Sequence, residues 1–182
     1  MKGITLLEGE IAKQKTQAVV GEEHSTFLSE RADVRDVFTF SAAGSSRGIP
    51  HSGKVSVGSA VHVAGEESFG SLVIYAVVRE PGSSATEMTI QEAFRSCLYL
   101  AEVLGVESLS VPAIGTVKGE ISTQKSAEIL LSEVRKTNVK KGCLSDINFV
   151  LKGEPSYRVF EMVKDSVKIA DQLARLKGDG RV

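Results

Sequence analysis

From residue 71 onward the chain alternates apolar strand and amphipathic helix three times, and this order limits the fold more than any other feature. Leu72–Val78, LVIYAVV, is continuously apolar, the pattern of a strand covered on both faces. After it, Ser84-Ala-Thr-Glu87 and Thr89-Ile-Gln-Glu92 each fit a capping box. Ile90, Ala93, Phe94, Cys97, Leu98, Ala101 and Leu104 then form one helical stripe, which Gly105 ends. Ser108–Val111 reads as a second strand, and a helix from about Ser122 carries Ala127, Leu130, Leu131 and Val134 on one side. Asp146–Leu151 is a third strand. Pro155 suits the first turn of a last helix, about 155–176, with Phe160, Val163, Val167 and Ala170 inward. Right-handed crossovers would build these into an α/β fold, a three-layer α/β/α sandwich on a mixed, partly parallel sheet.

The N-terminal part reads as strands alone. Ile4–Leu7, Gln17–Val20 and Val34–Phe40 are candidates, and Lys54–Val63, KVSVGSAVHV, alternates with a strand's period of two. A length of 182 residues without a compositional break predicts one domain over 1–176, followed by a flexible tail at 177–182. Lys+Arg 22 nearly balances Asp+Glu 23, so charge gives no case for nucleic acid or an anionic membrane. MKGITLLEGE lacks a signal-peptide core, and no apolar run reaches membrane length. Cys97 falls on a helix's apolar face and Cys143 in a loop, without metal-ligand spacing. A reduced, cytoplasmic setting is expected, with a homo-oligomer left open.

Most apparent site motifs fail on chemistry. Gly48-Ile-Pro-His-Ser-Gly53-Lys54 begins like a phosphate-cradling P-loop, but Val55 stands where magnesium needs a hydroxyl, and strand-like residues follow. His24, His51 and His62 are scattered, and His62 lies in the alternating segment as a structural side chain. Glu22-Glu23 is expected in a surface turn, and adjacent carboxylates in extended backbone point apart. No metal ligand, catalytic residue or cofactor is assigned.

The segment VPAIGTVKGE, 111–120, is different. It leaves a strand's carboxyl end and enters a helix, the edge where parallel α/β sheets bind ligands. Gly115 and Gly119 would let backbone amides approach an anion, and the helix from Ser122 would add a positive dipole end. Lys118 supplies charge. An ordinary β-α connection would use the same glycines.

The stretch EAFRSCLYLAEVLGVESLSVPAIGTVKGEISTQKSAEILLSEV resembles the second half of a macro domain. GEI at 9–11, QAVV at 17–20, GKVSVGSAVHV with VIYAVV, and INFVLKGEPSYRVFEMV extend the resemblance over nearly the whole chain. It implies a macro-domain-like sandwich and a cleft for ADP-ribose or related nucleotides. By that resemblance Glu10, beside Ile11, stands where relatives bond the adenine amino group. Ala113, Ile114, Gly115, Thr116 and Val117 stand where backbone amides wrap the diphosphate, and Lys118 and Gly119 follow in the same candidate ligand-binding loop. His24 stands where relatives place the Asn that contacts the distal ribose. The chain departs from the family at Val117, where a third glycine is usual, and throughout its first ligand loop. There Gly21-Glu22-Glu23-His24 replaces an Asn-Ala-Ala-Asn motif and its glycine run, and only Ala42-Ala43-Gly44 survives.

These features lead to an expected function: a binding protein for a nucleotide or phosphate-bearing ligand, ADP-ribose-like and without catalysis. A hydrolase acting on ADP-ribose derivatives and an interaction module with a lost site are the alternatives.

Overall fold

A computed structural model describes residues 3–34, 36–137 and 142–178. Its strands are β1 (Gly3–Glu8), β2 (Ala18–His24), β3 (Val37–Ser41), β4 (Gly44–Arg47), β5 (Ala60–Val63), β6 (Glu67–Ser68), β7 (Ser71–Arg79), β8 (Ser108–Val111) and β9 (Asp146–Leu151). Its helices are α1 (Glu87–Val103), α2 (Thr123–Lys136) and α3 (Glu154–Gly178). They form one mixed sheet in the order β1-β9-β8-β2-β7-β5-β3-β4, with β6 beside β7. Strands β1, β9, β8, β2 and β7 run parallel, and β5, β3 and β4 complete the sheet antiparallel. The expected mixed α/β fold is formed.

Alternation within the strands divides the interior in two. Ala18 and Val20, Ile74 and Ala76, Leu109 and Val111, and Ile147 and Phe149 enter the larger core with all three helices. Phe94, Phe149 and Phe160 pack at its centre in tilted pairs, with ring centres 6.4 and 5.7 Å apart. On the sheet's other side a 3-10 turn, Phe27–Glu30, seats Phe27 and Leu28 on Val37, Val61, Val63 and Val77. Arg31 pins this layer. Its guanidinium lies 4.7 Å from the Tyr75 ring centre and 5.1 Å from that of Phe27, while it pairs with Glu66.

Local chemistry moved several expected boundaries. α1 begins after Thr86, whose hydroxyl accepts from the Thr89 amide while Thr89 Oγ1 accepts from the Thr86 amide. Neither Glu of the two expected capping boxes takes part in that cap. The alternating stretch from Lys54 becomes a strand only at Ala60, because Gly58 has φ +91° and the Ser59 amide turns back to the Ser56 carbonyl. The hairpin strand β3 starts at Val37, and Arg35, within the expected segment, lies outside the described residues. α3 runs on to Gly178 over residues expected as tail, and 179–182 lie outside the described residues. Ala170, expected to face inward, is exposed together with Ile169 and Leu173, while Asp171 pairs with Arg135 of α2. No helix of the described residues is long and apolar enough to cross a membrane.

Candidate functional site

The carboxyl ends of β1, β2, β7, β8 and β9 share one edge of the sheet. Chain reversal after β8 places the 112–121 loop there, anchored by Ile114, which is fully buried in the larger core. No part of Ile114 is exposed, and its carbonyl accepts from the Ser126 hydroxyl at 2.8 Å. Gly115 takes φ +85°, and there the chain turns. An added Cβ would come within 2.8 Å of Ile121 Cγ1 and closer still to Ile90 Cδ1. The glycine is therefore required by the junction of loop and α1, independently of any ligand.

Most of the loop's polar groups close on one another. The Thr116 amide and hydroxyl both donate to the Ala113 carbonyl, at 3.2 and 2.7 Å. The Gly119 amide donates to the Thr116 carbonyl, and the Ile121 amide to that of Gly115. Ser122 caps α2 by accepting from the Lys125 amide, which engages an amide of the helix's first turn. Val117 is 82% exposed and avoids positive φ, so its branched side chain is unstrained. Lys118 is exposed beside it.

The Gly115 amide points the other way, and it is occupied. It donates to Glu22 Oε1 at 2.7 Å. This contact arises because β2 stays paired with β7 as far as His24, the register shifting only after Glu23. Glu22 follows Ala18 and Val20 on the strand face of the larger core, while Glu23 falls on the opposite face and lies 3.6 Å from Arg31. The expected surface turn at Glu22-Glu23 is thus strand, and the two carboxylates do point apart. Tertiary pairing with β7 overrode the polar composition that read as a turn.

A buried charge network surrounds Glu22. Arg79, at the end of β7, donates from Nε and Nη2 to the two oxygens of Glu120, at 2.8 and 2.6 Å. Arg79 Nη2 also lies 3.7 Å from Glu22 Oε1, and the Ala85 amide donates to Glu120 at 3.0 Å. Two carboxylates share one guanidinium, and their acidities separate. Burial lifts the Glu22 carboxyl above the usual carboxylate range, and repulsion from Glu120 adds to it, against the Gly115 amide, Arg79 and Lys118. Burial acts upward on Glu120 too, but its bonds from Arg79 and Ala85 outweigh it and hold that carboxyl below the usual range.

The remaining positions lie around this centre. Glu10 precedes a short 3-10 turn, tied to the end of β9 through the Gly9 amide and the Leu151 carbonyl, and its carboxylate reaches Lys13 at 3.4 Å. Ile11 is half-buried in that turn. The His24 ring contacts Thr26 Oγ1 at 3.2 Å and Glu30 at 3.5 Å, so both ring nitrogens have neighbours on the chain. His62 is buried, bonded to the Val73 carbonyl and stacked on Phe38, the structural part expected of it. Sequence reasoning missed Arg79 and Glu120. An arginine closing a continuously apolar strand was the available signal, since such a charge needs a nearby carboxylate. Ala42-Ala43-Gly44 lies elsewhere, on a groove of about 520 Å³ between α1 and the β3–β4 hairpin.

Residues 43–130 match the Macro domain family model. An uncharacterized protein of Aquifex aeolicus is 28% identical over 110 residues, which make up 60% of this chain and just under two thirds, 66%, of that one. The Oceanobacillus iheyensis macrodomain solved with ADP superposes with a TM-score of 0.66 at 17% identity, covering 91% of each chain. A Trypanosoma brucei macrodomain solved in complex with ADP-ribose gives 0.65 at 18% identity, over 88% of this chain and 68% of its own.

Proposed function

We propose that this chain, a macro-domain protein by its family match over residues 43–130 and by its fold, serves as a non-catalytic binding module for a phosphate-bearing nucleotide of the ADP-ribose type. The observation that carries the reading is the Gly115 amide, which already holds an anionic oxygen at 2.7 Å on the sheet's carboxyl edge. The Glu22 carboxylate stands in chemically for a phosphate oxygen, since both are anionic acceptors of a backbone N–H. Among the described residues the amides of Val117 and Lys118 meet no acceptor, and they complete a donor set on the exposed turn. Glu10 and Ile11, at the end of β1, offer a carboxylate and an apolar contact for a base.

His24 speaks against catalysis. Its ring is engaged by Thr26 and Glu30, so an acid or base role would first require breaking those contacts. A structural module is the second reading, favoured by the internal closure of the Thr116 and Gly119 amides.

Calorimetry with ADP-ribose, ADP, AMP and inorganic phosphate tests the first reading. ADP-ribose and ADP should bind, and Lys118→Ala should weaken both by about 1 kcal/mol, as befits an exposed ammonium. Failure of all four at millimolar concentration would favour the structural module. Release of ADP-ribose from a modified protein, lost on His24→Ala, would instead establish a hydrolase.

A further inference from the structure

We infer that Glu22 is the specificity-determining residue of this loop: its carboxylate occupies the Gly115 amide as a built-in competitor, and a ligand enters by displacing it. The inference rests on the phosphate-binding reading of the loop.

Three observations carry it. First, the contact is direct, at 2.7 Å, and the donor belongs to the turn that would otherwise meet the ligand. Second, Glu22 is not needed to neutralise Arg79. Glu120 already takes that guanidinium with two bonds, whereas Glu22 stands 3.7 Å off. The carboxylate is therefore free to leave without orphaning a buried cation. Third, charge prevents simultaneous occupancy. Glu22 and Glu120 against Arg79 and Lys118 leave the cluster with no spare positive charge for a ligand's anion. A diphosphate brought beside an ionised Glu22 would meet repulsion in a half-buried setting. The ligand must supply the anion that replaces Glu22, which selects for phosphate or carboxylate over neutral nucleosides.

Release has a chemical trigger. The groups facing Glu22 are Arg79 on β7 and Lys118 and Glu120 on the β8–α2 loop, with the Gly115 amide as its bonded partner. Protonation removes the charge that competes and repels, so anion binding should tighten as pH falls.

The test compares wild type, Glu22→Gln and Glu22→Ala by calorimetry with ADP-ribose from pH 5 to 8, a range in which the diphosphate's charge is constant. The unliganded melting temperatures verify that all three fold. Glu22→Ala should bind at least about tenfold tighter at pH 8, and Glu22→Gln should fall between. Wild-type affinity should rise on acidification while both variants stay flat. If wild type binds and the variants bind no better, Glu22 is no competitor, although the loop's function stands. If none of the three binds, both readings fall.

Discussion

Arg79 grips Glu120 through two parallel hydrogen bonds, 2.8 and 2.6 Å long, with both side chains almost fully buried. The pair joins the end of the central strand β7 to the loop before α2, and through the Ala85 amide it also holds the approach to α1. Replacing Glu120 by Gln removes the charge while preserving the shape. Arg79 would be left with only the more distant Glu22. We expect a loss of about 3–5 kcal/mol in urea unfolding, the range for breaking one side of a buried pair. A change within about 0.5 kcal/mol would mean that the pair contributes no more than a surface one.

Glu22 and Glu120 should affect stability in opposite directions with pH. Glu120 is held low in the fold, so its contribution is present at neutral pH and is lost as pH falls through its folded pKa. Glu22 is raised above its ordinary 4.5, so the fold favours its protonated form. That stabilisation is complete below the unfolded pKa and disappears as pH rises through the folded one. Glu22→Gln should therefore melt higher than wild type at pH 7–8, with the gap narrowing toward pH 4. A gap that widens on acidification would contradict the assignment.

Gly115 should prove a folding residue before it proves a binding one. An alanine there must adopt φ +85° and place its Cβ against Ile90 and Ile121. The combined strain and overpacking predict a loss of about 2–4 kcal/mol for Gly115→Ala. Denaturant melts of the unliganded protein measure it. A variant as stable as wild type would place the glycine's importance with the ligand instead.

That result bears on what the sequence could convey. β8 and β9 are legible to the residue because both are short, mostly buried strands bounded by turn chemistry, and α2 because Ser122 caps it. Gly115 was legible as a glycine-requiring turn, but not the reason for it, since Ile90 meets it from another element. Glu22 read as turn and surface charge because local composition cannot reveal that β2 stays paired with β7 to His24. The Arg79–Glu120 bond spans 41 residues, and only the folded sheet edge brings its ends together. β4, exposed along its length and without an apolar face, left no periodic signal.

An amide-resolved NMR titration of the unmodified protein with ADP-ribose tests the Gly115 turn as the ligand site. The largest shifts should fall on Gly115, Val117 and Lys118, with Glu22 and Arg79 following as the carboxylate is displaced. Shifts confined to Gly58, Arg95 and Tyr99, in the groove between α1 and the β3–β4 hairpin, would contradict it, as would an unmoved Gly115 at saturating ligand.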